Sequence, residues 1–119
     1  MRLKELQGHR GPVTAIDFST SGKVLASGSE DNTIRVWDTA SGELLLTLEG
    51  HISSINTIAF SPTDQLLASG SDDETIRVWN ATSGELLFTI VDNSGPVEKI
   101  AFSPSGQVLV SGSWDYSVR

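Results

Sequence analysis

No cysteine occurs among the 119 residues. That excludes a disulfide framework and any thiolate metal site, and it suits a reducing compartment, so a cytoplasmic protein is expected. Bases are scarce too: eight Lys and Arg stand against fifteen Asp and Glu, a net charge of −7. Such a balance repels phosphate backbones and leaves no basic stripe, so nucleic acid is not an expected partner, whereas basic peptides or proteins are. Nowhere does an apolar run approach the roughly 18 residues that a membrane-spanning helix needs, so no membrane partner is expected. The opening residues MRLKELQGHR lack the apolar core of a signal peptide. Sustained helical periodicity is missing as well, because Gly, Ser, Thr and β-branched residues interrupt every window of helical length.

What the chain does have is a repeat. His9 and His51 lie 42 residues apart, as do Trp37 and Trp79, and Asp31, Asp73 and Asp115 keep the same interval. A fixed period across a chain signals an array of supersecondary units that stack on one another. Within a unit the runs VTAIDFS, KVLASGS, TIRVWD and ELLLTL are short and β-rich, and TSG, EDN and TASG separate them. This pattern predicts an all-β protein with four antiparallel strands per unit. Gly22, Gly42, Gly84 and Gly106 fall in the turns, where glycine adopts positive φ without a steric penalty, and no helix follows to make a phosphate loop. Leu45, Leu67, Ile76, Val78, Phe18, Phe60 and Phe102 are expected to form the core between units.

Gly8-His9, the stretch Ser27-Gly28-Ser29-Glu30-Asp31 and Val36-Trp37-Asp38 resemble the signature of the WD-repeat (WD40) family of β-propellers. Gly50-His51 and Val78-Trp79-Asn80 repeat it. The resemblance implies propeller blades, each a four-stranded antiparallel sheet, in an incomplete ring. Its cyclic strand order makes residues 1–6 the outer strand of a preceding blade, residues 7–48 blade 1, 49–90 blade 2 and 91–119 an incomplete blade 3. Three periods of 42 would need 126 residues, and the chain has 119. Propellers close with about four to eight blades. Three blades cannot close alone, so either a longer propeller or a head-to-tail homo-oligomer is expected.

His, Ser and Asp together are also the ingredients of a hydrolase triad. The resemblance implies instead a structural tetrad: His9, Ser27, Asp31 and Trp37 in blade 1, and His51, Ser69, Asp73 and Trp79 in blade 2. Pairing across the EDN turn puts Ser27, rather than Ser29, diagonal to Trp37 on one face. In blade 3 Asn93 replaces the histidine and the tryptophan is absent, leaving a partial tetrad of Asn93, Ser111 and Asp115. Two identical sets at one interval read as repeated architecture, so no catalytic residue, cofactor or metal site is expected. An enzyme using the histidines as bases is the alternative.

The family's usual partner surface is the rim around the channel. Carried over by alignment, it comprises Pro12, Thr14 and Glu30, then Ser54, Asn56 and Asp72, then Pro96, Glu98 and Trp114. Three carboxylates, one tryptophan and no base suit an Arg or Lys side chain stacked on the indole. A non-catalytic scaffold for protein interactions is the expected function.

Overall fold

The computed structural model describes residues 9–91, 95–104 and 109–113, the last five by their backbone only. Residues 1–6, Asn93, Gly106, Trp114 and Asp115 lie outside the described residues, as does the side chain of Ser111. Strands β1 (Val13–Phe18), β2 (Val24–Ser29), β3 (Ile34–Asp38) and β4 (Leu44–Leu48) form one sheet in sequence order. Strands β5 (Ile55–Phe60), β6 (Leu66–Ser71), β7 (Thr75–Asn80) and β8 (Leu86–Val91) form a second, and β9 (Val97–Phe102) pairs with β10 (Leu109–Ser113). Every pairing is antiparallel. The sheets do not close into a ring, and no helix occurs among the described residues, so none there is long and apolar enough to cross a membrane.

Chain chemistry sets the turns. The Asp38 carboxylate accepts the amides of Ala40 and Ser41 at 2.8 and 2.9 Å, and Asn80 does the same for Thr82 and Ser83 at 2.9 Å each. Each such Asx turn hands the third strand to the outer one. In the hairpin between second and third strands, Asn32 and Glu74 take the left-handed conformation at φ 73° and 68°. Asparagine adopts that region at lower cost than glutamate. Glu74→Asn is therefore expected to raise stability by about 0.5 kcal/mol, read as a higher urea midpoint at unchanged m.

Blades pack front to back. Ile55, Ile58, Phe60, Leu67 and Trp79 of blade 2 bury against Ala26, Ile34, Val36 and Leu48 of blade 1. Val97 and Ile100 of blade 3 bury against Ala68, Ile76 and Val78 of blade 2. Glycine in the second strand makes the socket: a Cβ on Gly28 would collide with Ile55, and one on Gly70 would sit 2.6 Å from Val97 Cγ1. Two carboxylates reach across the first junction. Asp17 accepts the Phe60 amide at 2.9 Å, and Asp64 accepts the amides of Thr20 and Ser21 at 2.6 and 3.1 Å.

Two of the residues assigned to the core from sequence are exposed. Phe18 lies on the front of β1, where none of the described residues forms a blade to cover it. Leu45 is the extra residue of a bulge, since Val36 pairs with Leu46 and Trp37 with Leu44. The bulge turns its side chain to solvent. Leu67, Ile76, Val78 and Phe60 are buried, and Phe102 is half-buried against the second cluster.

Candidate functional site

Strand register brings the recurring polar residues together. Leu25 pairs with Trp37 and Ser27 with Arg35, so Ser27 is diagonal to the tryptophan. The Trp37 indole N–H donates to Ser27 Oγ at 2.9 Å, Ser27 Oγ lies 2.7 Å from His9 Nε2, and His9 Nδ1 lies 2.9 Å from Asp31 Oδ2. In blade 2 the same chain runs from Trp79 to Ser69 at 3.0 Å, from Ser69 to His51 at 2.7 Å and from His51 to Asp73 at 2.7 Å. Asp31 and Asp73 sit at the hairpin tips and gather amides: Arg10 and Thr33 donate to Asp31 at 2.8 and 2.9 Å, and Ile52 and Thr75 to Asp73 at 3.1 and 2.9 Å.

Proton positions follow from the electrostatics. Burial pushes the His51 imidazole below its ordinary pKa, outweighing its bond to Asp73, and the Arg77 charge adds to the fall. His51 is thus neutral at neutral pH, with Nδ1–H donating to Asp73 and Nε2 accepting the Ser69 hydroxyl. Every donor in the series then has an acceptor. Burial pushes Asp73 up, but hydrogen bonds from Thr75, His51 and the Ile52 amide more than offset it and hold the carboxyl below the ordinary range. Asp31 is held low in the same way against the same burial, by Thr33, Arg10 and His9.

Two residues in each blade escaped the sequence reading. Thr33 and Thr75 donate their hydroxyls to Asp31 and Asp73, and Ser29 and Ser71 brace the histidine loops through the carbonyls of Gly11 and of Ser53 and Ser54. The signal was present in DNT and DET, where threonine recurs two places after the aspartate.

The rim residues divide. Pro12, Glu30 and Asp72 are exposed, while Ser54, Pro96 and Glu98 are half-buried. Thr14 and Asn56 are the extra residues of bulges in β1 and β5. A bulge re-aims its side chain, and here it aims both toward the next blade: Thr14 Oγ1 donates to the Ile55 carbonyl, and Asn56 Nδ2 donates to the Val97 carbonyl at 3.1 Å. Asn56 also donates to Asp72 at 2.6 Å. Ile52, absent from the alignment-based set, is 83 % exposed next to the Asp73 hairpin. No group of three His, Asp or Glu among the described residues is arranged to hold a metal.

Residues 1–38, 42–80 and 84–119 match the family profile of the WD domain, G-beta repeat. Periodic tryptophan protein 2 homolog of Schizosaccharomyces pombe is 54% identical over 39 residues, 33% of this chain and 5% of that protein. Nuclear distribution protein PAC1 of Coccidioides posadasii is 56% identical over 43 residues, covering 36% and 9%. Eukaryotic translation initiation factor 3 subunit I of Neurospora crassa is 48% identical over 46 residues, covering 39% and 13%. These aligned stretches span between 5% and 13% of the relatives' own length. The structure of U3-55K superposes with a TM-score of 0.92 at 29% identity, over 95% of this chain and 36% of that one. With the repeat signature, the front-to-back sheets and a profile that matches all three units, the chain belongs to the WD-repeat family.

Proposed function

We propose that the chain is a non-catalytic interaction module working in the cytoplasm, whose acidic rim receives a basic segment of a partner protein. WD-repeat proteins are typically scaffolds for protein interactions. The observation that carries the non-catalytic reading is the sealing of the Ser–His–Asp series. Asp–His–Ser connectivity is the order that activates a serine nucleophile. Here, however, Ser27 and Ser69 are 5 and 0 % exposed, and each hydroxyl oxygen already accepts an indole N–H. A nucleophile needs a substrate carbon about 3 Å away with oxyanion donors beside it, and the tryptophan occupies that approach. The sets are therefore assigned as structural locks.

For the rim, support comes from exposed Glu30 and Asp72 with Ile52 and Pro12 nearby, an acidic surface with apolar footholds. Trp114 completes the reading on blade 3 as an aromatic seat for a cation. Charge reversal tests it. Glu30→Lys with Asp72→Lys is expected to weaken binding of an arginine-rich peptide by about tenfold or more at low salt, with the loss shrinking as salt rises. Calorimetric titration reads the affinity, and an unchanged Tm shows that the double variant folds. Equal affinity for both proteins would sink the assignment.

Closing a ring requires further blades. We take these to be contributed by a longer chain or by another molecule, and mass in solution by light scattering separates a monomer from a self-assembled ring.

A further inference from the structure

The front of blade 1 presents a face whose counterparts are buried twice in the same chain. Val13, Ile16 and Phe18 are 51, 61 and 56 % exposed, whereas Ile55, Ile58 and Phe60 are 0, 7 and 8 % exposed beneath blade 1. Val97 and Ile100 are likewise buried beneath blade 2. Apolar fit is not all that accompanies these burials. At each junction the preceding blade also supplies one donor and one acceptor to the covered strand. The donor is the bulge residue: Thr14 to the Ile55 carbonyl, Asn56 to the Val97 carbonyl. The acceptor is Asp17 for the Phe60 amide at 2.9 Å, and Thr57 Oγ1 for the Ile100 amide at 3.3 Å.

The two described strands of blade 3 pair in the same register and carry different chemistry. Strand β9 has a bulge at the same place, and Gly112 stands where Gly28 and Gly70 make their sockets. The bulge residue is now Glu98, and the acceptor positions of Thr57 and Asp17 are taken by Lys99 and Ala101. A carboxylate has no proton to give a carbonyl, and an ammonium has no lone pair for an amide. The third blade of a second copy would thus meet Val13 and its strand with both polar matches inverted or missing.

We infer that the face of β1 left open among the described residues selects, as its neighbour, a blade of this repeat type with a Thr or Asn donor at its bulge and an Asp or Thr acceptor beside it. The same face discriminates against the third blade of a second copy. The inference rests on the ring-completion reading above and is independent of what the rim binds.

The test makes the missing partner from the chain itself. A probe carrying Glu98→Asn and Lys99→Thr copies the Asn56 and Thr57 pair onto blade 3, and Ile16→Glu in the same probe prevents it from binding itself. The native chain, labelled at its N-terminal amine, is titrated with this probe and, separately, with a chain carrying Ile16→Glu alone. Two neutral hydrogen bonds restored at an interface predict at least about tenfold tighter binding of the triple variant. Introducing Ile16→Glu into the labelled chain is expected to abolish that binding. Equal affinities of the two probes would overturn the discrimination while leaving ring completion standing. Binding that survives Ile16→Glu in the labelled chain would overturn the choice of face. Failure of the triple variant to bind at all, with its β circular dichroism intact, would overturn ring completion through this face altogether. Glu98→Gln with Ile16→Glu, which restores one donor with little change of shape, is expected to shift affinity in the same direction.

Discussion

Asp73→Ala is expected to lower unfolding free energy by about 3–5 kcal/mol, more than any other single truncation of a hairpin-tip polar group among the described residues. Its side chain is only 2 % exposed and accepts from His51 Nδ1, the amides of Ile52 and Thr75, and the Thr75 hydroxyl. Alanine leaves those donors without acceptors in a place water barely reaches, and each pays the desolvation cost of an unmade bond. Asp31→Ala is expected to cost less, because its carboxylate is 9 % exposed and solvent replaces part of what is lost. Urea denaturation of both variants checks the order. The dependence on pH gives a second signature. Because Asp73 is held below its ordinary pKa in the folded chain, its contribution is present above about pH 4 and fades as pH falls through the lower folded value. His51, also depressed, contributes stability that is complete above about pH 6.5 and declines as pH falls below it, since the unfolded chain takes the proton first. The deficit of Asp73→Ala should accordingly be largest near neutral pH and narrow below about pH 4. A constant deficit from pH 7 to 3 would refute the assignment of these bonds to the ionised carboxylate.

Gly28→Ala is expected to cost about 2–3 kcal/mol and to act at the junction between blades rather than within a sheet. The added methyl would overlap Ile55 Cγ2 and lie 2.9 Å from Ile55 Cβ. Ile55 is fully buried and held by its own strand pairing to Ser71, so it cannot swing clear. Only separation of the blades relieves the clash, which exposes the cluster around Val36, Ile58 and Phe60. Ile55→Ala is expected to cost about 2–5 kcal/mol alone, through the cavity it leaves. Combined with Gly28→Ala it should cost less than the sum, by about 1 kcal/mol or more, because the new methyl enters the space the isoleucine vacates. Additive costs would place the strain of Gly28→Ala in its own strand.

Much of this was legible in the chain because the repeat made single residues informative. The interval of 42 fixed which histidine, serine, aspartate and tryptophan belong together, and period-two patterning separated the strands. What the sequence hid follows from bulges and from relations between sheets. A bulge adds one residue without changing the hydrophobic alternation on either side, so nothing in VTAIDF or INTIAF tells that Thr14 and Asn56 donate to backbone carbonyls of the next blade. The same effect turns Leu45 outward within a run of leucines. Phe18 reads as core because it is identical to Phe60, and its exposure depends on which blade stands in front of it rather than on its own strand. The roles of Asp17 and Asp64 are hidden because each accepts amides more than 40 residues away.

Those two carboxylates bear on how the chain finds its order while folding. Near-identical units invite kinetic traps, since a blade that docks one period out of place still buries most of its apolar face. Asp17 is replaced by Ala59 and Ala101 in the later units, and Asp64 by Gly22 and Gly106. Neither aspartate is repeated, so blade 3 set against blade 1 would lack the clamp that Asp64 places on Thr20 and Ser21. Asp64 thus works as an address: it favours blade 2 over blade 3 as the neighbour of blade 1, and it makes this junction one where the units are not interchangeable.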